Sequence, residues 1–127
     1  MNEHRIYPLL AYVSGPYSDS RGPYFVRENI AVAERMAARL WMMGVPNICP
    51  HKNTALMDGI IPHESWIEGD LVMVDRCDIV IMLPRWECSS GACKEHDRAK
   101  KRLKPIFYAE TDDFEDQLEK FIQGYCE

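Results

Sequence analysis

Several features are missing from the sequence, and each absence excludes a class of protein. No apolar run is long enough to cross a membrane. The N-terminal stretch MNEHRIYPLLAYV lacks the basic start, long apolar segment and small-residue cleavage site of a secretory signal, so we expect a cytoplasmic protein. The Gly-x-Gly-x-x-Gly and Walker motifs are absent as well, which excludes two common phosphate-binding loops.

Positive charge is also scarce. Lysine and arginine total 15 against 20 aspartates and glutamates, for a formal net charge of −5. Proteins that bind nucleic acid polymers usually present a basic surface, so we exclude such a polymer as a partner. A small anion remains possible as a ligand, because backbone amides and a few arginines are enough to hold one.

The cysteine pattern argues against disulfides and against a metal site. There are five cysteines, an odd number, and none of them forms a Cys-x-x-Cys pair, so we expect reduced thiols. Cys88, Cys93 and His96 lie close together in the sequence, but no fourth ligand accompanies them. We therefore expect neither a metal nor another cofactor.

What the sequence does contain is a regular alternation of strand and helix patterns, in the order β-α-β-α-β-α-β-α. The predicted strands are 9–14, 45–50, 78–83 and 105–108, and the predicted helices are 24–43, 63–74, 90–103 and 112–125. Gly44 is expected to end the first helix, and Asp112 or Asp113 to cap the last one. The order predicts an α/β fold with a parallel sheet of four to five strands and helices on both faces, in one domain over 1–127.

In such folds, ligands bind beyond the carboxyl ends of the strands. This rule selects the loops 14–23, 50–62 and 84–91. The first of these loops contains Ser14, Gly15 and Arg21, which form either an anion-binding site or a structural turn.

Two aspartates near the third strand have different expected roles. Asp70 follows Gly69 among apolar residues, and it either points into the cleft with a raised pKa or belongs to a solvated acidic face. Asp78 opens the strand at the opposite end of the sheet, where we expect it to tie the start of the strand to a neighbouring loop.

The stretch CSSGACKEH, at 88–96, joins the third strand to the next helix. Ser89 or Ser90 is expected to cap this helix, whose N-terminus attracts anions. Glu95 lies about one turn further on, where it either leans back toward the strand ends or remains a surface glutamate. We expect Lys94 and His96 to face solvent.

Four segments together carry a resemblance to a known family. They are YVSGP at 12–16, GVPNICP at 44–50, ESWIEGDLVMVDRCD at 64–78 and LPRWECSSGACKE at 83–95. In order and spacing the chain resembles the nucleoside 2-deoxyribosyltransferase-like superfamily, most closely its small phage and bacterial branch, which is related to the deoxynucleoside 5′-monophosphate N-glycosidases. The resemblance covers nearly the whole chain and implies a flavodoxin-like, three-layer sandwich.

The resemblance also implies a role for three side chains. Glu95 matches the glutamate that attacks C1′ of the sugar and forms a glycosyl-enzyme intermediate. Asp70 matches the aspartate that helps to protonate the leaving nucleobase. Tyr12 matches the tyrosine that orients the nucleophile and the sugar.

A further set of positions is expected to bind the substrate. The resemblance implies this for Ser14, Gly15, Arg21, Ser89 and Gly91. Ser90 is added for its place at the helix start, and Trp86 lies in an insertion that the better-studied family members lack. Among these positions, Ser89 and Gly91 match residues that hold the 5′-phosphate in the branch that hydrolyses nucleotides. Trp86 either stacks on the base or packs within the protein.

The expected function is therefore cleavage or transfer at the N-glycosidic bond of a nucleoside or nucleoside 5′-monophosphate. Water as acceptor gives hydrolysis, and a second base gives transfer. The alternatives are a non-catalytic nucleotide-binding protein and a structural protein that shares the fold. A homo-oligomer is expected, because family members commonly complete their sites with a neighbour's residues. Trp41, Met42 and Met43 either form such an interface or pack on the sheet.

Overall fold

A computed structural model describes residues 4–53, 57 and 59–126, which form a parallel sheet with helices on both faces. The strands are β1 (Ala11–Ser14), β2 (Asn47–Ile48), β3 (Ile79–Met82) and β4 (Ile106–Tyr108), and the helices are α1 (Pro23–Met42), α2 (Pro50–Asn53), α3 (His63–Arg76), α4 (Ser90–Lys101) and α5 (Phe114–Tyr125). The strand order is β2-β1-β3-β4 and every pairing is parallel. This is the flavodoxin-like order, so the predicted α/β fold is confirmed, with four strands.

Local differences from the sequence-based expectation lie on the second and third loops. β2 pairs over two residues rather than the six predicted. The segment 50–62 is predicted to be a loop, but its first four residues form α2, from Pro50 to Asn53. Residues 54–56 and 58 of that segment lie outside the described residues. A short 3-10 turn at Trp86–Cys88 replaces part of the predicted loop before α4.

The two faces of the sheet carry different helices. Side chains alternate between faces along a strand, so Ala11 and Val13 pack on one side of β1 and Tyr12 on the other. The first face is covered by α1 and α5, through residues such as Leu40 and Leu118. The second face is covered by α3 and α4. Tyr12 and Ser14 of β1 therefore face α3 and α4, and the buried stripe of each helix decides which of its residues meet them.

α1 ends at Gly44 as predicted, in a Schellman arrangement. The amide of Val45 donates to the carbonyl of Leu40 over 2.8 Å, and the amide of Gly44 donates to the carbonyl of Trp41 over 2.9 Å. Gly44 has φ of +84°, and a Cβ built there would lie 2.1 Å from the carbonyl oxygen of Arg5.

The expected cap of the last helix is only partly correct. Asp113 occupies the position before α5, but its carboxylate accepts no backbone amide from the helix. It accepts instead from the side-chain amide of Gln117, over 3.0 Å. The interaction therefore links two side chains across one turn and leaves the first amides of α5 uncapped by Asp113.

Asp78 has the structural role that its position predicts. Its carboxylate accepts the amide of Leu10 over 2.7 Å and the hydroxyl of Tyr125 over 3.2 Å. These bonds tie the start of β3 to the segment before β1 and to the end of α5.

The C-terminal end of α1 divides between the surface and the core. Trp41 and Met42 are 47% and 71% exposed, whereas Met43 packs against the core. Within the described residues, no helix is both long enough and apolar enough to cross a bilayer.

Gly44→Ala is expected to lower the free energy of unfolding by at least about 2 kcal/mol, because alanine is strained at positive φ and its Cβ meets a backbone oxygen. Gly124→Ala, in α5 where a Cβ meets nothing within 4 Å, is the matched control and is expected to be neutral or slightly stabilising. Urea denaturation measures both; equal midpoints for the two variants would contradict the assigned role of Gly44.

Candidate functional site

A cleft of about 610 Å³ opens at the carboxyl ends of β1, β2 and β3. Its volume falls in the range of small-molecule sites. One wall is formed by the residues that follow β1 and β2, and the other by α3 and the start of α4. The lining residues are Val13, Gly15, Tyr17, Ser18, Pro50, His51, Gly59, Ile61, His63, Trp66, Ile67, Asp70, Cys88, Ser89, Ser90, Gly91, Ala92 and Glu95.

Glu95 lies at the inner end of this cleft and is only 6% exposed. Its Oε1 accepts a hydrogen bond from Ser14 Oγ over 2.5 Å, and its Oε2 accepts one from the hydroxyl of Tyr12 over 3.0 Å. Both oxygens of the carboxyl group are therefore held in place by β1. Each oxygen keeps a lone pair beyond these bonds, so the group can still act on a ligand.

The periodicities of β1 and α4 explain how these three side chains meet. Tyr12 and Ser14 are two residues apart on a strand, so both point to the face that carries α4. The buried residues of α4 are Ala92, Glu95, His96 and Ala99, which follow helical spacing. Glu95 thus occupies a position of α4 that normally carries an apolar side chain.

Asp70 approaches the same carboxyl group from α3. It is half-buried, lines the cleft, and lies close enough to Glu95 to share a hydrogen bond when one of the two is protonated. Burial raises its pKa above the ordinary value, and the hydrogen bond with Glu95 partly opposes this. Of the two alternatives for Asp70, the structure has the one that points into the cleft.

Burial dominates the electrostatics of Glu95. The pKa of the carboxyl is raised to about 8 as the net result of opposing causes: burial and, to a smaller degree, Asp70 raise it, while the bonds from Ser14 and Tyr12 lower it. Hydrogen bonds to a charged acceptor contribute roughly 1.5–3 kcal/mol each, and this offsets only part of the cost of burying a charge. Burial and the neighbouring Glu95 also raise the pKa of Tyr12 well above 10, so its hydroxyl stays a donor.

The N-terminus of α4 borders the cleft next to Glu95. The Ser89 hydroxyl accepts the amide of Ala92 over 3.1 Å and so caps the helix, while Ser90 and Gly91 begin its first turn. A Cβ on Gly91 would lie 3.3 Å from Cδ1 of Ile67, so the glycine allows α4 to pack closely on α3. The three residues therefore present a capped helix start to the cleft.

Of the three residues expected to bind a ligand from the first loop, only Gly15 lines the cleft. Ser14 faces Glu95 rather than the open cleft. Gly15 lines the cleft, but it also has a packing role, because a Cβ there would lie 2.7 Å from Leu83. This close approach packs the residue after β1 on the residue after β3.

Arg21 lies outside the cleft. Its guanidinium donates to both carboxylate oxygens of Asp19, over 2.9 and 2.7 Å, and stacks over the ring of Phe25 at 3.8 Å. These bonds lower the pKa of Asp19 to about 2. Arg21 lines a separate, shallower depression that also contains Arg85 and borders the cleft at Ser18.

Trp86, which is partly buried, stacks on the buried ring of His96, and neither residue lines the cleft. Their rings lie 4.2 Å apart, and the His96 Nε2 is 2.7 Å from the Tyr108 hydroxyl. The expectation that His96 faces solvent is wrong, because it shares the buried stripe of α4 with Glu95 and is only 8% exposed. Trp86 packs on the protein and is not part of the described cleft wall, whereas Lys94 is exposed as expected.

The cleft residues to which the sequence analysis gave no role include His51, His63 and Trp66. His51 is 5% exposed, and its Nε2 is 2.7 Å from the carbonyl oxygen of Pro16. Its place directly after β2, at the carboxyl end of a predicted strand, is a signal that could have identified it. His63 and Trp66 begin α3 and have no comparable pattern.

All five cysteines are free thiols. Cys88 is exposed at the edge of the cleft, and Cys93 lies near the carbonyls of the preceding turn. Among the residues that the structure describes, no group of three or more histidine, cysteine or acidic side chains is placed to hold a metal ion.

Comparisons with known proteins agree with this fold. The model of a family described as "Domain of unknown function (DUF4406)" matches residues 10–108. A 2-deoxyribosyltransferase from the bacterium Bacillus psychrosaccharolyticus is 15% identical and has a TM-score of 0.59, over 78% of this chain and 70% of that one. BlsM is also 15% identical, with a TM-score of 0.61 over 96% and 76% of the two chains. No curated protein sequence matches the chain.

Glu95→Gln is expected to become more stable relative to wild type as the pH rises from about 4.5 to about 8. The native pKa of Glu95 lies above its ordinary value of 4.5, so its contribution to stability is complete below pH 4.5 and is lost as the pH rises through the native pKa. Glutamine carries no such proton. Melting temperatures of both proteins across this range measure the effect; a constant difference would contradict the raised pKa.

Proposed function

The chain belongs to the family described as a domain of unknown function, DUF4406, and from its cleft we propose that it acts on the N-glycosidic bond of a nucleoside or nucleoside 5′-monophosphate. The proposed enzyme is an N-glycosidase or a deoxyribosyltransferase with Glu95 as nucleophile. The fold that it shares with a 2-deoxyribosyltransferase supports the reaction class.

One observation carries the proposal: two carboxyl groups in unlike environments meet in the cleft. Glu95 is buried in α4 and fixed by two hydroxyl donors, whereas Asp70 is only half-buried and reaches it from the neighbouring helix α3. Pairs of carboxyls whose environments differ in this way can divide the roles of nucleophile and acid. Their raised pKa values also allow the pair to hold one proton near neutral pH.

In the proposed reaction, a carboxylate oxygen of Glu95 attacks C1′ of the sugar. The bond from C1′ to the base nitrogen breaks with its electron pair on the base, and Asp70 supplies the proton that neutralises the base. Tyr12 and Ser14 hold the attacking carboxylate in place and stabilise its charge before attack. Water then releases the sugar, or a second base accepts it.

The walls of the cleft provide complementary surfaces for such a ligand. Trp66, Ile67 and Tyr17 offer aromatic and apolar surface for a base. We place the 5′-phosphate of a nucleotide over Ser89, Ser90 and Gly91, since a helix N-terminus favours an anion. Arg21 and Trp86 are left outside this binding mode, because Asp19 and His96 already engage them.

The proposal extends to a cytoplasmic homo-oligomer without a cofactor. The exposed Trp41 and Met42, at the end of α1, support a contact between subunits. Sedimentation of wild type against Met42→Lys tests this contact directly.

Glu95→Gln is expected to reduce release of free base by at least about a thousandfold, because the amide is a poor nucleophile. The assay is chromatography of free base after incubation with a panel of nucleosides and 5′-monophosphates. Glu68→Gln, the same change at an exposed position of α3, is the control and should retain wild-type turnover. Undiminished base release by Glu95→Gln would disprove the assignment, and an intact ligand with wild type would favour a non-catalytic binding protein.

The rate is expected to fall above about pH 8, where the pair of Glu95 and Asp70 loses its last proton and the base is no longer protonated. Asp70→Asn should lower kcat by roughly 10²- to 10⁴-fold and remove this basic limb. The measurement is kcat/KM against pH for both proteins. A basic limb that persists in the variant would assign the proton donor to another group.

A further inference from the structure

His51 is a buried side chain of the cleft wall for which the proposed reaction has no use. It follows β2 in the short helix α2, and its ring meets that of Tyr17 edge-on, with centroids 5.6 Å apart. It lines the same cleft as Glu95 and Asp70, yet it lies on the wall opposite to α3 and α4. Its two ring nitrogens have different surroundings, and these surroundings fix its chemistry.

The first nitrogen determines the tautomer. Nε2 lies 2.7 Å from the carbonyl oxygen of Pro16. A carbonyl oxygen can only accept a hydrogen bond, so Nε2 must carry the hydrogen and donate it. This bond also ties α2 to the loop that follows β1, next to the strand that holds Ser14.

The second nitrogen is an acceptor without a partner. Burial lowers the pKa of His51, and the carbonyls of Pro16 and Gly15 oppose this only in part, so the ring is neutral near pH 7. With the hydrogen on Nε2, Nδ1 carries a lone pair. Nδ1 is buried, and it has no hydrogen-bond partner among the residues that the structure describes. Buried polar atoms are rarely left in this condition unless a ligand or water satisfies them.

We propose that His51 is a specificity-determining residue, whose Nδ1 accepts a hydrogen bond from a hydroxyl or amino group of the ligand. This inference rests on the proposed function for the class of ligand, a nucleoside or its 5′-monophosphate. Both donors occur in such ligands, on the sugar and on the base. A group that only accepts hydrogen bonds is disfavoured at this place, because the lone pair of Nδ1 repels it and stays unsatisfied.

Contact with Nδ1 requires a small adjustment of the wall, since the atom is buried beside the cleft. Rotamer changes of this size commonly accompany ligand binding. Because water does not hydrogen-bond to the buried Nδ1, a ligand that lacks a donor leaves this nitrogen unpaired. The bond therefore discriminates between ligands more sharply than a contact at the open surface would.

Two substitutions separate the functions of the two nitrogens. The amide of His51→Gln can reach the Nε2 position and keep the bond to Pro16, but it leaves no acceptor at the Nδ1 position. The amide of His51→Asn lies near the Nδ1 position and can accept there, but it falls short of Pro16. If Nδ1 contacts the ligand, the two variants rank differently in the two measurements. His51→Gln retains more stability, and His51→Asn retains more affinity for the ligand.

The test measures melting temperature and nucleoside affinity for wild type, His51→Gln and His51→Asn. The calorimetric probes are adenosine, its analogue without the amino group (purine riboside) and 2′,3′-dideoxyadenosine, with cytidine, pyrimidin-2-one riboside and 2′,3′-dideoxycytidine as a second series. We expect His51→Gln to lose about tenfold in affinity for the parent nucleoside, the size of one hydrogen bond. For the analogue that lacks the contacted donor, His51→Gln and wild type should have equal affinity. The analogue for which this holds identifies the donor as the amino group or a hydroxyl.

The outcomes distinguish this inference from the function on which it rests. If wild type binds a probe and His51→Gln binds it equally well, or better than His51→Asn does, His51 is only structural and the inference is overturned while the nucleoside site stands. If no probe binds wild type, with the 5′-monophosphates of adenosine and cytidine included, the nucleoside site itself is overturned, and the role of His51 with it.

Discussion

Glu95 is a carboxyl group that the fold keeps out of water, and both of its oxygens accept hydrogen bonds from β1. This arrangement constrains much of the rest of the structure. It requires Tyr12 and Ser14 on one face of the strand, and α4 packed on that face with Glu95 in its buried stripe. The close contact of Gly15 with Leu83 keeps the carboxyl ends of β1 and β3 together at that point. The cleft is therefore built around one fixed polar group.

Burial of this carboxyl also determines its chemistry. A carboxyl with a pKa of about 8 holds its proton at neutral pH unless a neighbour takes it over, and Asp70 is that neighbour. One proton shared by two carboxyls gives a charged group and an acid at the same time, and a glycosyl transfer needs both. The strands and helices thus provide a site in which position and protonation state are set by the same contacts.

Sequence patterns predicted the fold well because burial repeats along the chain. The apolar runs marked β1, β3 and β4, and Gly44 ended α1 as expected. The helical spacing that buries Ala92 and Ala99 also buries His96. From the sequence, His96 is expected in solvent because histidine is a polar residue. The bond from Ser14 to Glu95 and the bond from His51 to Pro16 join residues 81 and 35 positions apart. No local pattern reports such pairs, so the partners of a predicted residue became known only from the structure.

The defining step of the proposed reaction is the covalent attachment of Glu95 to C1′ of a nucleoside. The most direct measurement is mass spectrometry of the protein after incubation with 2′-deoxy-2′-fluoro nucleosides and their 5′-monophosphates, in which the fluorine slows release of the sugar from the enzyme. We expect an added mass of one fluorinated pentosyl group, or of its 5′-phosphate, on the peptide that contains Glu95. Base release with no adduct, or an adduct on a different side chain, would contradict the attachment to Glu95.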